Sequence, residues 1–317
     1  MDFTTDEKIV LDYAGAQGGD KLLGNLSGVV ATDRGLWTVS DEGRTLESLT
    51  ADNGGYRLKQ QYRLDDLIDG LPGRPDGAEL DLESIALDGD RLWIAGSHCW
   101  VRRTSDDPDV LLPATRDRPS RHVLARLRID GEGIVGEADA LPFTGAGSLR
   151  DMLKGDAYLD QFLELPSKEN GLDIEGLAVR GRQVLLGCRG PLLDSRAVVI
   201  ELNLSDGFGI ASYALHFLDL DGLAVRDLSW RGDEVLVMAG PMDEAPGPFR
   251  LYGWSIAAAG PLEHPRRLID FSTQTEKPEG VCVLQRGGRQ GLLVLYDSPD
   301  KRRVKGHRYE ADWMAYP

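Results

Sequence analysis

The sequence predicts an all-β, five-bladed β-propeller spanning residues 1–317 as a single domain, closed by its N-terminal strand, with loop and short-helix insertions on one face. A hairpin motif recurs five times, 38 glycines and 16 prolines punctuate the 317 residues, and one residue slot recurs in step with the hairpins. The hairpins are LSGVVATDRGLWTVSDE (26–42), LESIALDGDRLWIAGSH (82–98), IEGLAVRGRQVLLGCRG (174–190), VRDLSWRGDEVLVMAGP (225–241) and PEGVCVLQRGGRQGLLVLYDS (278–298). Each joins two short apolar runs through a turn rich in Asp, Gly or Arg, the pattern of an antiparallel hairpin.

Further apolar runs follow the hairpins and fill four-stranded units. They are TLESLTADNG and YRLKQQYRL, then HVLARLRIDG and IVGEADALPF, RAVVIELNLS and SYALHFLDL, and FRLYGWSIA and RRLIDFS. The last hairpin is followed only by RVKGHRYEADW, whereas EKIVLDYAG (7–15) stands spare before the first. Adding the spare strand to the last unit closes the ring and removes two open sheet edges. The recurring slot holds Ser27, Glu83, Glu175, Arg226 and Glu279, and only the step from 83 to 175 is long. Two insertions, 99–121 and 144–172, account for it. The second contains SLRDMLKGDAYLDQFL, whose leading serine and apolar Leu149, Met152, Leu153 and Leu163 predict a helix. A sixth, degenerate blade in this gap is the alternative.

Composition narrows the partners. With 52 acidic against 36 basic residues the net charge is -16, which repels nucleic acid and anionic membranes. No segment reaches the roughly 18 consecutive apolar residues of a membrane span, and the N-terminus has no signal-peptide core. Cys99, Cys188 and Cys282 show no metal or disulfide spacing, so a reduced, cytoplasmic protein is expected.

The inner strand of each blade lines the channel, so the five slots converge on the axis. Three carboxylates there repel one another and lose hydration, and they require a cation, a donor or a proton. Calcium, which takes 6 to 8 oxygen ligands, answers that need with Ser27, Glu83, Glu175 and Glu279 as ligands. Arg226 answers it too, as an axial salt bridge that pins the ring. Strand pairing brings Asp41, Asp297, His98, Arg44, Arg102, Arg103 and Arg189 to the same face. Asp41 and Asp297 are candidate proton acceptors, and His98 is either an acid–base group or a structural hydrogen-bonder. Arg44, Arg102 and Arg189 are candidates to hold a small anionic ligand.

The segments NGLDIEGLAVRGRQVLLGCRGP, ELDLESIALDGDRLWIAGSH and VRDLSWRGDEVLV resemble the bacterial family catalogued as domain of unknown function 3616, which implies a propeller and no particular activity. More distantly, the ring resembles that of calcium-dependent apyrases and of phytase-type esterase-like propellers. That likeness implies an axial Ca2+ on Ser27, Glu83, Glu175 and Glu279, and metal-assisted hydrolysis of a phosphorylated substrate. Arg226 departs from the pattern by placing a cation where a neutral oxygen ligand is expected. No GxSxG elbow, P-loop, HExxH or dinucleotide fingerprint is present. The competing expectation is a non-catalytic propeller that binds a small molecule or a protein through its loop-rich face, with the axial cluster purely structural.

Overall fold

A computed structural model of the chain describes all residues except 1, 3, 75–76, 105–110, 132, 137, 257–261, 272–275 and 317. Part of the 99–121 insertion and the ends of the runs FRLYGWSIA and RRLIDFS therefore lie outside the described residues.

The fold is an all-β propeller. Strand β1 (Glu7–Asp12) leads into the short helix α1 (Asp20–Gly24), followed by β2 (Leu26–Thr32), β3 (Gly35–Ser40), β4 (Thr45–Asp52) and β5 (Gly55–Arg63). The next sheet contains β6 (Leu82–Asp88) and β7 (Arg91–Gly96). After them comes a small ribbon of β8 (Val101–Arg102) and β9 (Thr115–Arg116), then β10 (Leu124–Arg128) and β11 (Asp139–Ala140) complete the sheet. Helix α2 (Leu149–Leu153) precedes the meander β12 (Asp173–Arg180), β13 (Gln183–Gly190), β14 (Ala197–Leu204) and β15 (Ile210–Leu218). A second meander follows: β16 (Ala224–Arg231), β17 (Glu234–Gly240), β18 (Phe249–Trp254) and β19 (Arg266–Phe271). The chain finishes with β20 (Lys277–Arg286), β21 (Arg289–Asp297), β22 (Val304–Lys305) and β23 (Arg308–Ala315).

The repeat is legible in the turns. Two-residue loops join the inner pairs, and Gly89, Gly181, Gly232 and Gly287 take positive φ of +54° to +60° at their first position. Such turns match the twist of the strands they join, and glycine adopts them without steric penalty. The first hairpin turns through Asp33 and Arg34 instead.

Closure follows the expected route. Strand β1 pairs antiparallel with β23 from Glu7↔Trp313 to Asp12↔Arg308, and pairs parallel with β5 at Leu11↔Tyr56 and Asp12↔Arg57. The first and last units therefore merge into one sheet. Ile9 and Leu11 on β1 are fully buried with Trp313 and Leu293, so the seam is apolar as well as hydrogen-bonded.

Between β11 and β12 the described residues form no strand. Ser148 caps α2 by accepting a hydrogen bond from the Asp151 amide, and Leu149, Leu153 and Leu163 are buried. The helix is far shorter than the 148–163 run suggested, because Gly155 takes a positive φ of +78° soon after its end. The run IVGEADALPF likewise reduces to the two-residue β11.

Candidate functional site

The inner strands β2, β6, β12, β16 and β20 pack side by side around the axis. On all of them the recurring slot sits at a break in register. Ser27, Glu83, Glu175, Arg226 and Glu279 are skipped where Leu26↔Ser40, Leu82↔Gly96, Ile174↔Cys188, Val225↔Ala239 and Pro278↔Tyr296 give way to the next pairs. A bulge leaves its extra residue out of the ladder and re-aims its side chain. Here it sends the slot residue toward the channel while its neighbours stay in the core.

Arg226, 4% exposed, lies among the glutamates. Its Nη1 is 3.0 Å from Glu175 Oε2 and its Nη2 donates to Glu279 Oε1. Arg189 holds the other Glu175 oxygen at 2.7 Å and Asp173 at 2.7 Å. Burial, the largest influence, pushes Glu175 and Glu279 up to about 8 against the downward pull of Arg189 and Arg226. Burial also works against the Arg226 charge, yet its two glutamates outweigh it and the proton is held more firmly than usual. Glu83 forms no hydrogen bond or ion pair among the described residues. Burial, with Asp81, Glu175 and Asp41 adding repulsion, raises its carboxyl well above the usual range.

The Ser27 hydroxyl donates to the carbonyls of Leu82 and Val39 rather than facing the glutamates. The residue after the slot reads Gly28, Ser84, Gly176, Asp227, Gly280. A Cβ on Gly176 would lie 2.8 Å from Leu228 Cγ, so glycine lets the neighbouring inner strand approach. Where the position is not glycine, it forms a second polar layer. Buried Asp227 accepts from Ser84 Oγ at 2.9 Å, from the Leu228 amide at 2.8 Å and from the Val281 amide at 2.8 Å, tying three inner strands together.

Outside the ring lies a cavity of about 470 Å³. Asp41, Asp297, Arg102 and Arg189 line it together with Glu83, Glu175, Arg226 and Glu279. Trp100 and Val101 of the first insertion and Pro166 to Glu169 of the second form its outer wall. Burial, reinforced by Asp81 and Asp297, pushes Asp41 up to about 8. Arg102 donates from Nε and Nη2 to the two Glu169 oxygens, each at 2.5 Å.

Three of the sequence-derived rim residues are placed elsewhere. Arg44 pairs with Asp65 at 2.5 Å and donates to the carbonyls of Pro72 and Ala78, stapling the loop before β6 outside the cavity. His98, at φ +56°, turns inward; it is 2% exposed, its Nε2 lies 3.2 Å from the Val123 carbonyl and its ring stacks on His122. Burial pushes its pKa well down, so it sits neutral in the wall and not at the mouth. Arg103 is exposed and outside the lining.

Sequence reasoning missed Asp81, Asp173 and Lys277, which also line the cavity. Each stands two residues before its slot, where a strand returns to the same face. The repetition Asp81-Leu82-Glu83 and Asp173-Ile174-Glu175 was the available signal. A larger groove of about 880 Å³ lies at the hairpin-turn end around Arg34, Lys59 and Asp130. It gathers turn tips, whereas the smaller cavity gathers convergent titratable groups, the better mark of a site.

Residues 25–312 match a family described as protein of unknown function (DUF3616). No curated protein matches the chain. Among solved structures, an exo-β-1,3-galactanase from Phanerochaete chrysosporium, solved with β-1,3-galactotriose, is 11% identical with a TM-score of 0.49; the alignment covers 98% of this chain and 64% of that one. A PQQ-bound aldose sugar dehydrogenase from Streptomyces coelicolor is 13% identical with a TM-score of 0.41, covering 97% and 99%. The β-propeller domain of Cps50 (Swd1) from Myceliophteria thermophila is 11% identical with a TM-score of 0.38, covering 90% of this chain and 96% of that one.

Proposed function

The chain belongs to the family of unknown function DUF3616, and from that premise we propose a five-bladed propeller that binds a small molecule in its axial cavity, with the Glu175–Arg226–Glu279 cluster as a structural plug. Three four-stranded sheets and the merged sheet that holds the first and last units support the count of five. The observation that carries the binding reading is the clasp on Arg226, which closes the channel and leaves above it a cavity walled by both insertions. Convergent polar groups in a concave, largely pre-formed site are the default signature of a small-molecule pocket. A test is to identify small molecules released on denaturing the purified protein, and to compare wild type with the cavity-filling variant Val101→Trp. Recovery of the same compounds from both would remove the cavity as their site.

A second reading, metal-assisted hydrolysis of a phosphorylated substrate, draws on Glu83, Glu175 and Glu279, whose ligand oxygens lie within 4.8 Å of one another. The expected calcium set does not fit these residues. Both Glu175 oxygens and one of Glu279 already meet guanidinium groups, Ser27 donates to backbone carbonyls, and the Arg226 charge would face the ion. Anion binding is no better served, since Arg102 and Arg189 are engaged by carboxylates and Arg44 lies outside the cavity.

A further inference from the structure

The charges in the cavity are unevenly satisfied. Every basic side chain among the described lining residues has an acidic partner. Arg102 pairs with Glu169, Arg121 with Asp81 at 2.8 Å, Arg189 with Asp173, and Arg226 with Glu175. Lys168 and Lys277 share Glu244, at 3.0 and 2.5 Å. Asp41, Glu83 and Asp297 have no cationic partner among the described residues, and all three line the cavity.

Glu83 is the decisive member. It is 9% exposed, lies against the cavity and has no hydrogen bond among the described residues. The positive charges of Arg189 and Arg226 reach it only across a distance, without a contact. Burying a carboxylate without a partner is costly, and an uncompensated violation of that kind belongs to a functional position more often than to a scaffold. Asp41 adds a buried Oδ1 that likewise has no hydrogen-bond partner among the described residues.

Spacing decides what kind of cation answers them. Glu83, Glu175 and Glu279 bring oxygens within 4.8 Å of one another, but Arg226 occupies two of the three; Asp41 and Asp297 stand outside that trio. Carboxylates spread along a wall suit a charge carried on an organic frame better than a bare ion that gathers its ligands into one sphere. Resting on the cavity reading above, we infer that the ligand carries an organic cation, an ammonium or guanidinium group, that docks against Asp41, Glu83 and Asp297.

A cation arriving there favours the ionised forms of Asp41 and Glu83, so binding near neutral pH releases protons. Calorimetry with spermidine, agmatine and glucosamine, set against inositol, inorganic phosphate and calcium chloride, tests the inference in HEPES and in PIPES, two buffers with different heats of ionisation. The expected result is saturable binding of at least one amine with proton release. Glu83→Gln should weaken it about tenfold or more while raising the melting temperature, since the amide removes the cost of holding a buried, unpartnered carboxyl in its protonated form. Amine binding unchanged in Glu83→Gln overturns the inference, as does no amine binding at up to about 10 mM, a level at which even weak affinities register. If inositol or phosphate binds and Val101→Trp abolishes that binding, the cavity reading stands and the cationic ligand falls. If Val101→Trp abolishes no binding that the wild type shows, the cavity reading falls with it.

Discussion

At the loop-side mouth the inner strands present Glu83, Glu175, Arg226 and Glu279; a few residues further along, the inner strands present Val30, Ile85, Leu177, Leu228 and Cys282 around a cavity of about 150 Å³. The backbone is shared and the chemistry is opposite. The apolar end follows ordinary strand alternation and packs into the cores between sheets. The polar end exists because a bulge at the slot releases one residue from that alternation. A propeller repeat can thus change its axial chemistry at one position without disturbing the core residue on either side.

Arg226 and Leu228, two residues apart on β16, probe the contrast most strongly. Arg226→Ser leaves Glu175 and Glu279 buried without their counter-charge and should lose about 3 to 5 kcal/mol. Leu228→Ala empties core volume and should lose about 2 to 5 kcal/mol. The discriminating quantity is pH dependence in denaturant melts: the Arg226 loss should change between pH 5 and 9 and the Leu228 loss should not. Calcium should leave the Arg226→Ser melt unmoved, and a rescue would revive the metal ring.

The wild type should itself respond to pH at the polar end. Asp41, raised to about 8, and Glu83, raised well above the usual carboxylate range, stay protonated in the folded chain where the unfolded chain has released those protons. Stability should therefore be fullest below the ordinary carboxylate range and fall as pH rises toward about 8, by at most about 1.4 kcal/mol per pH unit for each proton released. A melting temperature that rises from pH 5 to 8 would contradict this. In Glu83→Gln the slope should be shallower.

Between the two ends, Gly176→Ala sets a Cβ against Leu228 and should cost about 1 to 3 kcal/mol by overpacking. At the apolar end Cys282→Ala should cost about 1 kcal/mol or less, read as a small shift in the denaturation midpoint.

The hairpins, the slot register and the closing strand were legible because periodic apolar runs and turn residues report them directly. The bulges were not, since their signature is a break in pairing that composition leaves unmarked. Nor could chain position decide the rim. His98 and Ser298 both follow strand ends at positive φ, and that local turn, not their distance from the slot, directs the chain that follows. Arg44 shows the same limit, because Asp65 and two carbonyls of the next loop compete for it more effectively than the cavity does.

The pairing of Glu7–Asp12 with Arg308–Ala315 has a kinetic side. It joins segments about 300 residues apart in sequence, so the ring stays open until the segment from Arg308 onward has been synthesised and has met β1. Contacts of that separation slow folding because their loop entropy must be met first. A circular permutant that links residue 317 to residue 1 and opens at Gly18–Gly19 would turn this contact into a local hairpin. By the logarithmic scaling of loop closure, about 3 kcal/mol of entropy would leave the closing step, and refolding should accelerate while every native contact of the seam is kept.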